Sequence, residues 1–122
     1  MRYMALIYAD ESTWPGQGTP EAEKIIGEYF AYGDAVSKAG VFKAGDALLP
    51  TQTATTVRVR DGKTLTTDGP FAETKEQLGG YYMVDCKNLD EAIEAASRIP
   101  SVEWGGSIEV RPVQEFPEGP ES

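Results

Sequence analysis

The side chains in this sequence that are best suited to chemistry are concentrated between Asp68 and Tyr82. This stretch brings three carboxylates, a lysine and two tyrosines into a single connection. Glycine and proline follow Asp68 directly and can fix a tight turn, while Gly79 and Gly80 allow a close approach of the backbone. Polar side chains held in this way can point over a pocket, so segment 68–82 is a candidate binding or catalytic site.

The choice of catalytic groups in this segment is narrow, because the sequence contains no histidine. Any general base must be a carboxylate, a lysine or a tyrosine, and its pKa must be moved towards neutrality by burial or by a neighbouring group. We select Asp68 or Glu73 as the candidate base. Lys75 or Tyr82 is then its candidate electrostatic partner.

A structural interpretation of the same segment stands beside the catalytic one. Asp68 can close an Asx turn on its own backbone, and Phe71 and Leu78 can fill the edge of the core. The charged side chains between them would then be solvated. In this interpretation the segment only stabilises the fold and has no catalytic or binding role.

Thiol, metal and nucleotide chemistry receive less support from the sequence. Cys86 is the single cysteine and ends a predicted strand, which favours a buried, inert thiol over a nucleophile. One cysteine and no histidine leave only oxygen ligands, so we expect no metal site, with a weak divalent ion at Asp68 and Glu73 as the alternative. The glycines match no nucleotide-binding signature, and no cofactor is expected.

The charge balance excludes several classes of partner. Twenty acidic and 11 basic side chains give a formal net charge of −9, which repels the phosphates of nucleic acids and anionic membrane surfaces. No apolar run approaches the roughly 20 residues that a membrane span needs. The first residues do not resemble a cleavable secretion signal, so we predict a cytoplasmic location.

The elements that must position segment 68–82 follow from hydrophobic periodicity and from capping signals. The order is strand, helix, strand, hairpin, strand, helix, strand. The predicted elements are strands at 3–9, 41–49, 81–86 and 107–113, helices at 20–39 and 89–99, and a hairpin at 55–67. The strand at 41–49 is expected to be interrupted at Gly45 and Asp46.

Local signals support individual elements of this prediction. Thr19 and Pro20 are typical of a helix start, and Asp61-Gly62 between two strand-prone runs predicts a two-residue hairpin turn. The first helix is expected to bury one face, which comprises Ala22, Ile26, Tyr29, Gly33 and Val36. Its glycines, Gly27 and Gly33, are expected to allow close packing on the sheet or on a partner.

Together these elements predict an α+β domain. Two helices can cover one face of a largely antiparallel sheet, which gives a ferredoxin-like βαββαβ unit with an inserted β-hairpin. The other face of the sheet stays apolar unless a second copy covers it, so a twofold homodimer is expected. A chain of 122 residues fits one domain, placed at 1–115, followed by a loosely held tail at 116–122.

The order of residues in segment 68–82 also carries a family resemblance. The run DGPF at 68–71, continued by AETKEQLGGYY at 72–82, resembles the signature of the DGPF, or YCII-related, family of small bacterial proteins. The runs YMALIY at 3–8, ATTVR at 54–58 and EVRPV at 109–113 extend the resemblance over nearly the whole chain. The resemblance implies a dimeric α+β barrel in which two sheets face each other.

The resemblance implies no settled activity. A few relatives resemble small-molecule enzymes, including a dehydrochlorinase, and genes of the DGPF branch often neighbour genes for extracytoplasmic-function sigma factors. A histidine and an aspartate are proposed as a catalytic pair in the wider group, and this pair cannot be transferred to a chain without histidine.

Three functional hypotheses follow. The first is a small-molecule-binding protein or enzyme whose pocket lies between the sheet and the helices and is walled by segment 68–82. The second is a regulatory module that interacts with an extracytoplasmic-function sigma factor through its acidic surface. The third is an oligomeric scaffold without chemistry. Whether the protein is an enzyme is left open by the sequence.

Overall fold

A four-stranded antiparallel sheet, two helices and a separate hairpin make up the computed structural model, which describes residues 1–16 and 18–116. The strands are β1 (Arg2–Ala9), β2 (Phe42–Ala47), β3 (Thr55–Arg60), β4 (Lys63–Asp68), β5 (Gln77–Asp85) and β6 (Ser107–Pro112). The helices are α1 (Pro20–Lys38) and α2 (Leu89–Ser97). The predicted element order is confirmed over these residues.

The order of strands in the sheet is β2-β5-β1-β6, and every neighbouring pair is antiparallel. Strands β3 and β4 pair only with each other within the described residues and form the inserted hairpin. The arrangement is α+β and is compatible with a ferredoxin-like unit. Residues 117–122, the greater part of the predicted tail, lie outside the described residues.

Both helices begin where the capping signals place them. The Thr19 hydroxyl accepts a hydrogen bond from the Ala22 amide at 3.2 Å, and Pro20 occupies the first turn. The Asn88 side chain accepts from the Glu91 amide at 3.0 Å at the start of α2. Gly40 follows α1 with a φ of 78°, a left-handed conformation that favours glycine at a helix end.

The core lies between the helices and one face of the sheet. Along β1 the buried residues alternate with partly exposed ones, so a single face of the strand meets the helices. The main cluster of buried side chains joins both helices to this face; it comprises Ala5, Ile7, Tyr32, Val36, Ala96 and Ile99.

The predicted buried face of α1 is corrected in part. Ala22 and Val36 are buried as predicted, but Tyr32 is the large buried side chain, whereas Ile26 is 53% exposed. The predicted packing of Gly27 and Gly33 on the sheet is not found among the described residues, because a methyl group on either would meet no atom outside its own helix within 4 Å. Packing of these glycines on a partner stays a prediction. The position of the sheet determines which side of α1 is buried. Helical spacing in the sequence is compatible with more than one buried side.

Two strand boundaries also differ from the prediction. Strand β5 begins at Gln77 instead of residue 81, since its first residues pair with the end of β1. Strand β2 continues through Gly45 and Asp46, which pair with Tyr82 and Tyr81. The predicted interruption of β2 at Gly45 and Asp46 is therefore wrong: Gly45 stays in the ladder, where a methyl group would lie 2.7 Å from the Tyr82 ring.

Candidate functional site

The middle of segment 68–82, residues 74–77, is held next to the end of β1 by hydrogen bonds. The Gln77 side chain accepts from the Glu11 amide at 2.9 Å and donates to the Thr74 carbonyl. The Thr74 hydroxyl donates to the Glu76 carbonyl at 2.6 Å. Residues 74–77 are therefore fixed to the main sheet, and this fixes the positions of Lys75 and Glu76.

Two open depressions adjoin these residues, and Glu76 lines both of them. The first has a volume of about 390 Å³ and is lined by Tyr8, Glu76, Ser107, Ile108 and Glu109. The second has a volume of about 340 Å³ and is lined by Ala9, Asp10, Thr13, Lys75, Glu76 and Gly105. We name the two together the Glu76 site.

The pairing of β1 with β6 builds the floor of the Glu76 site. Tyr8 lies directly opposite Ser107, and Leu6 lies opposite Glu109. The end of β1 and the beginning of β6 therefore meet at one end of the sheet, and the segment carrying Lys75 and Glu76 borders this junction. The Glu76 site lies at the end of the sheet, whereas the pocket predicted from the sequence lies between the sheet and the helices.

The Glu76 site is predominantly acidic. Asp10, Glu76 and Glu109 contribute carboxylates, and Lys75 contributes a cation. Hydrogen bonds from the Ser12 hydroxyl and amide lower the pKa of Asp10, and the charge of Lys75 lowers it further. Asp10 is therefore ionised at neutral pH, and the site presents a fixed negative charge to an incoming molecule.

The four candidate catalytic residues predicted from the sequence lie in different environments. They are Asp68, Glu73, Lys75 and Tyr82. Lys75 lines the Glu76 site, whereas Asp68 ends β4 and is exposed, and Glu73 is exposed in the following connection. Neither of these carboxylates lines either depression. The catalytic roles assigned to the four residues stay predictions.

Tyr82 faces the helices, on the opposite side of the sheet from Tyr81. Its ring packs edge-on against Tyr32 at 5.0 Å between centroids and against Phe42 at 6.4 Å. Burial raises the pKa of Tyr82 to about 12, with a smaller contribution from Tyr29. At neutral pH the Tyr82 hydroxyl therefore keeps its proton, and its ring contributes to the core.

The structural interpretation of segment 68–82 is corrected at two residues. Phe71 is 79% exposed and does not fill the edge of the core. Leu78, opposite Tyr8 on β1, is also exposed, at 36%. The exposed Phe71 ring does not contribute to packing within one chain. Its apolar surface is therefore accessible to another molecule.

Two buried groups in the core are not part of the Glu76 site. Burial raises the pKa of the Cys86 thiol, and the nearby Glu91 and Asp85 carboxylates raise it further, so the thiol stays protonated. Ser101 is buried near Tyr29, and its hydroxyl oxygen has no hydrogen-bond partner among the described residues. Burial raises the pKa of Tyr29.

The described residues contain neither a cluster of metal ligands nor a membrane-spanning helix. Within 1–16 and 18–116, no three acidic or cysteine side chains are grouped so that they could hold a metal ion. Neither helix in this part of the chain is long and apolar enough to cross a bilayer.

Sequence reasoning missed most residues of the Glu76 site. Asp10 follows the first strand directly, and Glu109 alternates with apolar residues on the last strand, but neither feature is unusual by itself. What brings them together is the pairing of the first strand with the last, a contact across about a hundred positions of chain. No local pattern marks Asp10, Glu76 and Glu109 as neighbours, because the register between distant strands decides which side chains meet.

Comparisons with known proteins agree with the resemblance noted in the sequence. The family model described as the YCII-related domain matches residues 1–117. An uncharacterized protein of Rhizobium meliloti (strain 1021) is 39% identical over 120 residues, which cover 98% of this chain and 97% of that protein. Neither comparison names a ligand, a reaction or a partner.

Proposed function

The chain belongs to the YCII-related domain family, and from this premise we propose that it binds a small polar molecule at the Glu76 site. The observation that carries the proposal is the position of Glu76, which belongs to the family-like segment and lines both depressions. A site of this size fits a metabolite, since ligand pockets commonly occupy about 300–1,000 Å³.

The charges of the site favour a ligand with a positive group. Three carboxylates surround the two depressions, and charge-assisted hydrogen bonds to an amine are stronger than neutral ones. Lys75 adds a cation at one side of the site and can pair with an anionic group. An amine that also carries a carboxylate therefore complements the site better than a dicarboxylate does.

This proposal predicts a selective loss of binding on neutralising two carboxylates. Binding of an alkyl amine, an α-amino acid and a dicarboxylate is measured by calorimetry. We expect the amines to bind and the dicarboxylate not to bind. Glu76→Gln/Glu109→Gln should weaken amine binding about tenfold or more, because each charged hydrogen bond contributes about 1.5–3 kcal/mol.

The control for this experiment neutralises two acids elsewhere. Glu23→Gln/Glu94→Gln removes the same charge from exposed positions on α1 and α2. Unchanged binding in this control and a loss in the site variant support the proposal. Equal binding by all three proteins, or preference for the dicarboxylate, contradicts it.

We further propose that two chains form a twofold dimer through the sheet face opposite the helices. This face presents a largely apolar centre of partly exposed side chains; they are Met4, Leu6, Tyr8, Tyr81 and Met83. Since the helices cover the other face only, a second sheet is the simplest partner for this surface. A more specific proposal is that this dimer catalyses a reaction. Its candidate catalytic groups are then Asp68, Glu73, Lys75 and Tyr82.

A regulatory role is the second candidate function. The net charge of −9 favours a basic protein partner, and the resemblance implies an extracytoplasmic-function sigma factor. Affinity capture with the purified chain from its native host tests this candidate. Recovery of a sigma factor in a salt-sensitive complex supports it, and recovery of none contradicts it.

A further inference from the structure

The hairpin β3–β4 has little contact with the rest of the chain. Its two strands are exposed along their length, apart from the partly exposed Thr56. Val57 is 60% exposed and Val59 is 68% exposed, and Leu65 of β4 is exposed as well. A two-stranded hairpin is marginally stable by itself in water, so this one needs a surface that covers it.

The base of the hairpin is anchored to the main sheet. The Gly69 amide donates to the Ala54 carbonyl at 2.7 Å and closes the base. Just before the hairpin, the amide and hydroxyl of Thr51 each donate to the Glu11 carboxylate at 2.7 Å. Glu11 follows β1, so the hairpin extends from a fixed point at one end of the sheet. We name residues 55–68 the arm and the rest of the chain the body.

The charge of the arm is opposite to that of the body. The arm carries three cations, Arg58, Arg60 and Lys63, and two acids, Asp61 and Asp68. Since the whole chain has 11 basic and 20 acidic side chains, the body has eight basic and 18 acidic ones. Among the described residues, Arg58, Arg60 and Lys63 form no ion pair. Their charges are therefore available to a partner.

The positive charge of Arg58, Arg60 and Lys63 determines which kind of surface the arm can dock on. Two arms paired edge to edge would bring cations of like charge together, and lysine and arginine on edge strands oppose such pairing. An acidic body attracts the arm instead, while the exposed valines supply apolar contact. The second copy of the chain, whose sheet face is already used in the proposed dimer, offers that acidic body around the sheet.

We propose that the arm of each protomer docks on the body of a second copy, in a reciprocal exchange across the twofold axis. The inference rests on the dimer proposed above and specifies which element holds it together. The valines of the arm bury apolar surface against the partner, and Arg58 and Arg60 pair with its acidic side chains. The arm is thus a dimerisation element that is folded in the protomer but covered only in the dimer.

Charge reversal on the arm provides the first test. Sedimentation equilibrium compares the wild-type chain, Arg58→Glu/Arg60→Glu and the control Lys24→Glu/Lys87→Glu, which makes the same charge change at exposed sites on the body. We expect the arm variant to raise the dimer dissociation constant about tenfold or more and the control to leave it nearly unchanged. A monomeric wild-type chain, or an equal effect of both variants, overturns the inference.

Cross-linking between copies provides the second test and separates the arm from the dimer itself. Val59→Cys is labelled with a photo-reactive group, and because Cys86 is buried the reagent selects the engineered thiol. Unlabelled and heavy-isotope chains are mixed, irradiated and analysed by mass spectrometry. Links from position 59 to body residues of the other isotope support the inference. A dimer that shows only arm-to-arm or intramolecular links overturns it and leaves the proposed dimer intact.

Discussion

At the scale of single residues, the tyrosines between α1 and the sheet are the groups whose chemistry the fold changes most. The Tyr32 hydroxyl donates to the Ala95 carbonyl at 2.7 Å in the core. Burial, together with the nearby Tyr82, raises the pKa of Tyr32 to about 12. Burial likewise raises the pKa of Tyr82 to about 12. Both hydroxyls therefore resist deprotonation more strongly in the folded chain than in the unfolded one.

This difference predicts a loss of stability in alkaline solution. Unfolded tyrosines ionise near pH 10 and the folded pair near pH 12, so the unfolded state loses protons first and is favoured as the pH rises between these values. Urea unfolding at stepped pH should show the free energy of unfolding falling across this range. Tyr32→Phe should make the fall shallower, and should cost about 1 kcal/mol at neutral pH for the lost hydrogen bond.

Tyr81→Phe is the comparison for the stability cost at neutral pH. The Tyr81 hydroxyl donates to the Asp46 carboxylate at 2.7 Å in an exposed position, and this hydrogen bond raises the pKa of Tyr81. Its loss should cost less than the loss of the buried Tyr32 hydrogen bond. An alkaline slope that is the same in Tyr32→Phe and in the wild-type chain contradicts the assignment.

At the scale of elements, strand β5 and helix α1 each contain a glycine, and the two glycines have different surroundings. A methyl group added at Gly80 would lie 2.9 Å from the Asp46 carbonyl oxygen on β2, so the bare backbone is required for the two strands to pair. Gly27 is in α1, and a methyl group there meets no atom within 4 Å. One glycine is required by a close approach within the chain, and the other is not.

Alanine at these two positions should therefore have opposite effects on stability. Gly27→Ala is expected to raise the free energy of unfolding by about 0.5–1 kcal/mol, because alanine favours the helix. Gly80→Ala is expected to lower it by about 1–3 kcal/mol, because the backbone of β2 must move. Chemical denaturation of each variant measures both changes. Destabilisation by Gly27→Ala, or no effect of Gly80→Ala, contradicts this assignment.

At the scale of the whole molecule, the uneven covering of the sheet is the dominant feature. One face carries the helices and the core, while the other presents a partly exposed apolar centre. Leu6 lies within that centre, opposite Tyr81 and Glu109 on the two neighbouring strands. A dimer through this face would bury Leu6 completely, whereas it remains partly exposed in a single chain.

A charge at Leu6 should therefore dissociate the dimer. Leu6→Glu is expected to give a folded monomer, because the carboxylate remains solvated in one chain but would be buried without a partner in the dimer. Leu89→Glu is the control, since Leu89 is exposed on α2 at the outer side of the molecule. Light scattering gives the mass, and circular dichroism checks the fold. A dimeric Leu6→Glu variant contradicts a dimer through this face.

Much of the secondary structure could be predicted from the sequence because its determinants are local. Thr19 with Pro20, Asn88 with Glu91, and Asp61 with Gly62 each set a helix start or a turn within a few residues. Asp61 and Gly62 both adopt positive φ, at 52° and 73°, as a two-residue hairpin turn requires. Strand lengths were less predictable, because pairing with β1 extends β5 back to Gln77.

The sequence by itself determined the α+β class, the element order, the acidic charge and the family-like run that begins at Asp68. The tertiary structure alone decided which part of that run borders a depression. It placed Glu76 beside Asp10 and Glu109, left Asp68 exposed, and turned Tyr82 towards the helices. The reason is that strand pairing between distant parts of the chain sets which side chains share an end or a face of the sheet.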